Sequence, residues 1–380
     1  MRILMTSLVD LKQSQHNRPH QFVKYLSKNH DITLITINDL WKKDQKDLDN
    51  YSDDFDDIIN GVQYEHITEH KLSPFLQEFF FRKKIKNLSK HDFDVHLNYN
   101  SMIMGYEASK KFKTVFDIAD DIPRMIKHSS QIPAFLQNIG YLFGKHYMKK
   151  NIINSDCITL TNKLLANIYS IPQNKYRILS NGVDLSLFKY NKNAKEVLNL
   201  GDEFIIGYVG VLREWVNLEP LFKSLKNLNF DVKVLIVGKE GNFEHNIKLA
   251  KKYRVSDIVK FTGTVPYSKV PLFISAMDVC LIPFHLNHIS NSAVPLKLFE
   301  YMACEKPIIS SKIEAIDKKY GDQIISVSTS EEYVEILTKL YENPRLTKSM
   351  IKKGKKMVKN YDWKNICKDL EKILTKVVEN

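Results

Sequence analysis

The feature that most constrains the fold of this 380-residue chain is an alternation of short apolar runs with amphipathic helical segments. The first run, RILMTSLV, is apolar without a two-residue period, which is typical of a strand buried on both faces of a parallel sheet. A helix is predicted for RPHQFVKYLSKN, where Pro19 lies near the start and Phe22, Val23 and Leu26 share one face. Further strands are predicted for HDITLITI, DVHLNYN, KTVFDIAD and CITLT. This order predicts a doubly wound α/β domain.

The alternation breaks and then restarts in the middle of the chain. Asn-Gly, Asp and clustered polar residues in NGVDLSLFKYNKNAKEVLNLGDE indicate a linker near residues 181–202. New strands are predicted for FIIGYVGVL, FDVKVLIVG, IVKFTGTV, DVCLIPF and KPIISS. We therefore predict two doubly wound, Rossmann-like domains that face a central cleft, with ligands beyond the carboxyl ends of the strands.

The last segment, WKNICKDLEKILTKVVEN, is an amphipathic helix with Ile366, Leu370, Ile373 and Leu374 on one stripe. The predicted boundaries are 1–186 for the N-terminal domain, 187–359 for the C-terminal domain and 360–380 for the final helix. The acidic stretch DQKDLDNYSDDFDD, residues 44–57, is predicted to be a solvated surface loop.

Charge and cysteine usage narrow the classes of partner. The formal charge of +12 predicts attraction to something anionic, but no nucleic-acid-binding pattern accompanies it, so we expect no nucleic-acid partner. The four cysteines are far apart and form no CxxC pair, which argues against a metal site. We find no signal peptide and no run of about 18 apolar residues, so we expect a cytoplasmic protein, soluble or peripheral on the inner face of the cell membrane.

The stretch SNSAVPLKLFEYMACEKPIIS carries the most informative pattern. A polar loop follows the strand DVCLIPF and leads into a helix, whose free amide groups and dipole suit an anion. Lys297 and Glu300 are three residues apart and share a helix face, so an ammonium can reach a phosphate while a carboxylate reaches vicinal hydroxyls. A nucleoside diphosphate satisfies both groups. The alternative is a local ion pair on a solvated helix face.

Several motifs together resemble the retaining glycosyltransferases of family 4, which have the GT-B fold. The similar segments are NGVDLSLF at 181–188, GYVGVLREWVN at 207–217, the block DVCLIPF…VPLKLFEYMACEKPIIS, and YDWKNI at 361–366. The resemblance extends over nearly the whole chain, but only its C-terminal half carries specific motifs. It implies an enzyme that moves a sugar from a nucleoside diphosphate sugar to a hydroxyl acceptor. It also implies that residues 1–186 bind the acceptor, that residues 187–359 bind the nucleotide sugar, and that the helix at 360–380 crosses back to the first domain.

The resemblance also implies roles for individual residues. It places Glu300 at the ribose hydroxyls, and Lys297 with the loop amides near Asn291, Ser292 and Ala293 at the diphosphate or the sugar. Arg213 would stabilise the diphosphate as its negative charge grows during departure. Gly210, in the turn before this arginine, belongs to the same donor site, and Val265 lies in GTVPY, where the family's backbone contacts the base.

Three positions depart from the family pattern. Ser292 stands where the family often has the first of two glutamates, and no lysine follows Arg213 closely, so Lys297 is expected to supply that charge. Glu305 stands where glycine ordinarily ends the helix with a positive φ, which predicts a strained or differently shaped helix end.

The N-terminal half is expected to bind the acceptor. Arg18, at a helix start, could bind an acidic acceptor or could be a surface arginine. Asp117, Asp120 and Asp121 follow a strand and are placed at the cleft edge. Asp120 is the candidate for orienting the acceptor hydroxyl or acting as its base, and the alternative is a helix cap.

Two segments, KLSPFLQEFFFRKKIKNLSK and IPAFLQNIGYLFGKHYMKKN, mix aromatic and basic residues at helical spacing. Such helices can lie on an anionic membrane surface, or they can simply cover the first domain. In the former case the acceptor would be lipid-linked.

The leading hypothesis is therefore a glycosyltransferase that acts on a glycan or lipid-linked glycan with retention of anomeric configuration and needs no metal or other cofactor. Two alternatives stay open: a catalytically silent protein that binds a partner transferase or a membrane, and a sugar-nucleotide epimerase or hydrolase whose products form without an acceptor.

Overall fold

The computed structural model of the chain describes residues 1–40, 56–129 and 132–380. It contains two compact units, one formed by Met1–Ser180 with Lys364–Asn380 and the other by Asn181–Trp363. The chain therefore passes from the first unit to the second at residues 180 and 181, whereas the sequence placed the boundary after residue 186. Most of the predicted acidic loop at 44–57 lies outside the described residues.

The first unit is built around a parallel sheet of seven strands: β1 (Arg2–Ser7), β2 (Asp31–Thr36), β3 (Gln63–His66), β4 (Val95–Tyr99), β5 (Thr114–Ile118), β6 (Cys157–Leu160) and β7 (Tyr176–Ile178). Its first seven helices are α1 (Arg18–Leu26), α2 (Asp56–Ile59), α3 (Pro74–Asn87), α4 (Ile103–Ser109), α5 (Ile122–Lys127), α6 (Ala134–Asn154) and α7 (Lys163–Ile168). The strand order is β3-β2-β1-β4-β5-β6-β7, so the winding direction reverses between β1 and β4. Every residue of β4 and β5 is buried, as expected for central strands of a parallel sheet.

The second unit repeats this architecture with six strands: β8 (Phe204–Val209), β9 (Val232–Val237), β10 (Val259–Gly263), β11 (Val279–Ile282), β12 (Ile308–Ser310) and β13 (Ile324–Ser326). Its helices are α8 (Ala194–Val197), α9 (Glu219–Ser224), α10 (Phe243–Lys252), α11 (Val270–Ala276), α12 (Leu296–Ala303), α13 (Glu314–Tyr320), α14 (Ser330–Glu342) and α15 (Pro344–Val358). The strand order is β10-β9-β8-β11-β12-β13, with all neighbours parallel, so the reversal falls between β8 and β11.

All ten predicted strands are confirmed, and so is the doubly wound class of both units. The structure adds β3, β7 and β13, which the sequence did not predict. Each of these strands has three or four residues and lies at an edge of its sheet. An edge strand needs less apolar surface than a central one, so its sequence carries a weaker pattern.

The predicted linker at 181–202 is not a free connection. Val183, Asp184 and Phe188 are buried in the second unit, and the segment also contains α8. The carboxylate of Asp184 accepts hydrogen bonds from the amide and hydroxyl of Ser186. The polar residues that suggested a linker therefore build a packed turn.

The final helix, α16 (Trp363–Glu379), contributes residues 364–379 to the first unit. Ile366, Leu370 and Leu374 are buried, as the amphipathic pattern predicts. Within that unit, Cys367 Sγ donates to the carbonyl of Gln21, 3.5 Å away, and Glu371 Oε1 lies 2.8 Å from His30 Nε2. Among the helices that the structure describes, none is long and apolar enough to cross a membrane.

Candidate functional site

The strongest candidate site lies in the second unit, where the strand order reverses between β8 and β11. Loops that leave neighbouring strands diverge at such a point, which opens a crevice beyond the carboxyl ends of the strands. The turn after β8 begins with Gly210, and the loop after β11 leads into α12. Tyr301 of α12 is buried and accepts a 3.0 Å hydrogen bond from the amide of Val209, which fixes the helix against the end of β8.

Gly210 allows a side chain from α12 to reach the backbone of this turn. Its φ is +123°, a conformation that L side chains rarely adopt, and a Cβ placed there would lie 2.8 Å from Lys297 Nζ. The amide of Gly210 donates to the carbonyl of Val237 on β9, so the turn is tied to the sheet. The glycine is therefore required both by the turn and by the ammonium that approaches it.

Lys297 is held in a half-buried, aromatic environment. Its Nζ lies 3.8 Å from the ring centroid of Tyr208 and 5.9 Å from that of Phe284, and the structure gives it cation–π contacts to both. Tyr208 is itself oriented by a 2.8 Å hydrogen bond from its hydroxyl to the carbonyl of Val211. Burial lowers the pKa of Lys297 to about 7, although the nearby Glu300 carboxylate acts in the opposite direction. A proton on this amine is therefore easily gained or lost near neutral pH.

Glu300 lies one turn further along α12 and is only 8% exposed. Its Oε1 accepts a 3.3 Å hydrogen bond from the hydroxyl of Tyr267, which follows β10. Burial raises the pKa of Glu300 to about 7, and Lys297 and the Tyr267 hydroxyl act against this rise. The phenol of Tyr267 is in turn positioned by Phe188, whose ring centroid is 5.4 Å away.

These positions exclude the alternative of a solvated ion pair. Glu300 is buried, and within the described residues no ion pair joins it to Lys297. Lys297 and Glu300, which have opposite charges and pKa values of about 7, therefore share one face of α12 without forming an ion pair. Perturbed pKa values of this kind concentrate at functional sites.

The loop before α12 corrects one prediction. We expected the amides of Asn291, Ser292 and Ala293 to be free for a ligand, but they donate to the carbonyls of Asn287, Ile289 and Ser290 at 3.0–3.2 Å. The loop forms a 3₁₀ turn at Ser290–Ser292, and the side chain of Asn287 starts it by accepting from two amides. The hydroxyl of Ser292 donates to the carbonyl of Ile289 at 3.0 Å, so it meets a ligand only as an acceptor.

Arg213 and Val265 lie in loops at the same edge of the second unit. Arg213 follows the turn at Gly210; its side chain is exposed and makes no ion pair with the residues that the structure describes. Burial raises the pKa of Tyr208, and the positive charge of Arg213 acts against this rise. Val265 is partly buried two residues beyond Gly263, which has a φ of +77°.

Glu305 confirms the expectation of an unusual helix end. Its φ is +58°, and the amides of Glu305 and Lys306 donate to the carbonyls of Met302 and Tyr301, respectively. This is the hydrogen-bond pattern of a Schellman motif, with glutamate at the position that normally takes glycine. The carboxylate forms a 2.6 Å ion pair with Lys355 on α15.

In the first unit, Arg18 and Asp117 are partners of each other. Arg18 is 1% exposed and donates two 2.8 Å hydrogen bonds, from Nε and Nη2, to the carboxylate of Asp117. Arg18 also donates to the carbonyls of Leu179 and Ser180, and Asp117 also accepts from Thr159. The surface position considered for Arg18 is wrong. The prediction that Arg18 and Asp117 contact the acceptor is also contradicted, because both side chains are buried and committed to this pair.

Asp121 also has a structural role. It is the N-cap of α5, where it accepts from the amide of Arg124, pairs with the guanidinium of that residue at 3.0 Å, and accepts a 2.6 Å hydrogen bond from Tyr169. The helix-cap alternative that was considered for Asp120 therefore describes its neighbour.

Asp120 remains the available carboxylate of the three. Its side chain has no hydrogen-bond partner within the part of the chain that the structure describes, and it is only partly buried. Burial raises the pKa of Asp120 to about 6; Arg18 lowers it, and Asp117 and Asp121 raise it further. A carboxyl group with this pKa can accept a proton at neutral pH.

Sequence reasoning missed two groups of residues. Tyr208 and Tyr267, which surround Lys297 and Glu300, lie in ordinary strand-end segments, and only the tertiary fold brings them to α12. A further polar network in the first unit joins Asp10, Tyr64 and His66, with the carboxylate 2.8 Å from the phenol and 3.1 Å from His66 Nε2. Its only sequence signal is an acidic residue shortly after β1. Within the described ranges, no cluster of His, Cys, Asp and Glu could hold a metal ion.

Part of this chain is similar to known proteins. Residues 190–357, which include the whole crevice after β8 and β11, match the family model of glycosyl transferases group 1. An N-acetylgalactosamine-N,N'-diacetylbacillosaminyl-diphospho-undecaprenol 4-alpha-N-acetylgalactosaminyltransferase of Campylobacter jejuni is 24% identical, over 62% of this chain and 62% of its own length. The chain spans 39% to 62% of the length of the curated relatives it matches.

Solved structures show the same fold. Sucrose-phosphate synthase from Thermosynechococcus elongatus has a TM-score of 0.78 at 17% identity, with 99% of this chain and 98% of that chain covered. Anabaena HepE in complex with UDP has a TM-score of 0.73 at 14% identity, covering 99% and 100% of the two chains. These likenesses confirm the predicted GT-B type fold, and the family match confirms the predicted resemblance to glycosyltransferases.

Proposed function

We propose that this protein transfers a sugar from a nucleoside diphosphate sugar to a hydroxyl group of a glycan or lipid-linked glycan, with retention of anomeric configuration. The observation that carries the proposal is the placement of Lys297 and Glu300 at the point of strand reversal. There a half-buried ammonium and a buried carboxylate, three residues apart, share one face of α12, and the ammonium approaches the turn at Gly210.

Glu300 is proposed to bind the ribose of the donor. A buried carboxylate without a cationic partner within ion-pair distance gains most from ligands that donate hydrogen bonds, and vicinal hydroxyls supply two donors. The Tyr267 hydroxyl donates to one oxygen of the Glu300 carboxylate, so the carboxylate is already oriented before the ligand binds. We assign the nucleobase to the backbone at Val265, in the loop that also carries Tyr267.

Lys297 and Arg213 are proposed to neutralise the diphosphate. Lys297 reaches the backbone at Gly210, and the exposed Arg213 follows in the same turn, so two cations converge on one loop. Both charges favour the transition state, because negative charge grows on the diphosphate as the sugar leaves. We therefore propose that no metal ion is required. The side chain of Asn291 and the hydroxyl of Ser292 are proposed to contact the sugar, in place of the amides of Asn291, Ser292 and Ala293.

Asp120 is proposed to orient the acceptor hydroxyl or to accept its proton. It is the carboxylate of its cluster that is not committed to a structural partner among the described residues, and its pKa of about 6 suits a base at neutral pH. HepE was crystallised with UDP, and the C. jejuni relative is named for a diphospho-undecaprenol acceptor. These two relatives make UDP-sugars the first donors to test and a lipid-linked saccharide the first acceptor. Such a reaction would take place on the cytoplasmic face of the membrane.

The test is a panel of UDP- and GDP-sugars, incubated with the full chain and with undecaprenyl-diphosphate saccharides in the absence of metal. We expect nucleotide release that depends on the acceptor, with loss of activity in Glu300→Gln and no loss in Glu342→Gln, whose carboxylate is exposed on α14. Nuclear magnetic resonance of the new anomeric proton reports retention or inversion. Nucleotide release or epimerisation without any acceptor would instead identify the hydrolase or epimerase alternative.

A further inference from the structure

The first unit exposes an unusual amount of apolar surface on two helices. Phe135, Ile139 and Leu142 recur on one face of α6 and are 77%, 62% and 65% exposed. Leu76 and Phe80 on α3 are also large, apolar and exposed. Single exposed hydrophobic residues need no explanation, but five of them on two helices of one unit mark a candidate interaction surface.

The two helices are adjacent and run in the same direction. Phe143 of α6 contacts Phe75 and Phe79 of α3, with ring centroids 5.4 and 6.2 Å apart. One turn further along both helices, Arg82 Nη2 donates to the Tyr147 hydroxyl at 2.9 Å. The first turns of α3 therefore lie against the middle of α6, around Phe143.

The C-terminal halves of the same helices are basic. Arg82, Lys83 and Lys86 are exposed on α3, and Lys145 and Lys149 are exposed on α6. One of these cations, Arg82, pairs with an acid, 3.1 Å away on α4. The surface formed by α3 and α6 is thus apolar at one end and positively charged at the other.

Acidic side chains are nearly absent from this surface. The sequence of α6 contains none, and the single acid of α3, Glu78, points inward and accepts from the amides of Met102 and Met104. Burial raises the pKa of Glu78 to about 7, which removes part of its negative charge at neutral pH. The two helices therefore contribute cations and almost no acidic charge, and the acids that pair with Arg82 and Lys84 come from α4 and β3.

We propose that the surface formed by α3 and α6 binds an anionic lipid bilayer, with the apolar halves inserted among the acyl chains and the lysines on the headgroups. Aromatic and aliphatic side chains bind the boundary between headgroups and acyl chains, and nearby lysine and arginine residues add attraction to anionic lipids. A second copy of the chain fits less well, because its cations would repel those of the first. A protein partner would need a groove that is apolar at one end and acidic at the other.

This inference does not depend on the donor site, because every residue that carries it belongs to α3 and α6 of the first unit. The sequence left open whether these helices bind a membrane or only cover the domain, and the proposal assigns membrane binding to α3 and α6. It also places a lipid-linked acceptor close to the unit that carries Asp120.

The test is sedimentation of the full chain with vesicles of phosphatidylcholine alone or mixed with phosphatidylglycerol. We expect binding to the anionic vesicles only. The apolar variant is Phe135→Ser with Ile139→Ser and Leu142→Ser, and its control is Val197→Ser with Leu286→Ser, which removes exposed apolar residues elsewhere. The basic variant is Lys83→Gln with Lys86→Gln and Lys149→Gln, and its control is Lys348→Gln with Lys352→Gln and Lys356→Gln on α15.

Each lysine near an anionic surface contributes about fivefold to binding, so the basic variant should lose about 100-fold. The apolar variant should lose at least about tenfold, since three exposed side chains no longer enter the bilayer. Both controls should bind as the wild type does. Absence of binding to anionic vesicles, equal binding to neutral vesicles, or equal losses in the controls would each overturn the proposal. So would sedimentation velocity that shows a dimer broken by the apolar variant.

Discussion

Raising the pH from 7 to 9 should remove the proton from Lys297 in the free protein, because burial lowers its pKa to about 7. A lysine with an ordinary pKa near 10.4 would keep its charge throughout this range. If the ammonium binds the diphosphate of the donor, affinity must fall as this proton is lost. The same argument applies with opposite sign to Glu300, whose pKa is raised to about 7 and whose carboxylate must be ionised to accept from ribose hydroxyls.

The expected magnitude follows from these two values. About half of the Lys297 population is protonated at pH 7 and about 1% at pH 9, which weakens binding about 50-fold, or by about 2.3 kcal/mol. Protonation of Glu300 at pH 5 has a similar effect. The two groups attract each other when both are charged, so the pair titrates as a unit and the limbs are broader than those of independent groups. The account therefore predicts a bell-shaped dependence of affinity, with its maximum near pH 7.

The assay is isothermal titration of UDP-glucose between pH 5 and pH 9. This ligand is preferable to UDP, since its diphosphate is a diester without the phosphate ionisation near pH 6. Glu300→Gln should remove the acidic limb, and Lys297→Met should remove the alkaline limb. In buffers of different ionisation enthalpy at pH 7, Glu300→Gln should take up about half a proton or more on binding, because the diphosphate recharges Lys297.

An affinity that stays constant between pH 6 and pH 9 would refute this reasoning, since it would mean that neither group changes charge in the free site or that neither contacts the donor. An alkaline limb that survives in Lys297→Met would assign that ionisation to the nucleobase or to another residue. The unfolding midpoint of each variant at each pH separates loss of binding from loss of folding.

Three further predictions concern other parts of the structure. Asp120→Asn should lower kcat at least about 100-fold. It should also raise the thermal midpoint above pH 6, since the raised pKa of this carboxyl means that stability is lost as pH rises through about 6. Asp121→Asn should instead lower the midpoint, because its ion pair with Arg124 is lost. Asp117→Asn should reduce the free energy of unfolding in urea by about 3–5 kcal/mol, since it leaves the buried Arg18 without its partner; a loss below about 1 kcal/mol would mean that the pair is solvated. Glu305→Gly should increase the free energy of unfolding by about 1 kcal/mol, because glycine relieves the left-handed conformation and only a surface ion pair is lost; no gain in a urea titration would contradict the strain.

The central strands could be predicted because a mostly apolar segment indicates a strand that is buried on both faces. RILMTSLV and KTVFDIAD are mostly apolar; every residue of β1 except Arg2 is buried, and β5 is completely buried. The edge strands β3, β7 and β13 escaped prediction because a strand with one neighbour needs few apolar residues. The packing of the predicted linker escaped prediction for a related reason. Val183 and Phe188 are single apolar residues within a polar segment, so no periodic pattern indicates that they are buried.

In the candidate site, too, some residues could be predicted from local sequence and others could not. Lys297 and Glu300 could be predicted because their spacing on a helix is local information. Their partners could not, since Tyr208 is 89 residues away in sequence from Lys297, and Tyr267 is 33 residues away from Glu300. In the same way, nothing local distinguishes Arg18 on an amphipathic helix from a surface arginine. Its burial depends on Asp117, 99 residues further along the chain.

The central claim is that Glu300 binds the ribose of a nucleoside diphosphate sugar, and the most direct measurement is isothermal titration of UDP and GDP without metal. The wild type should bind one of them, and Glu300→Ala should weaken that binding by about 1–3 kcal/mol, the range for a hydrogen bond to a charged group. Glu342→Ala, which removes an exposed carboxylate from α14, should leave the affinity unchanged. If neither nucleotide binds the wild type, or if Glu300→Ala binds as tightly as the wild type, the assignment of this site to the donor is wrong.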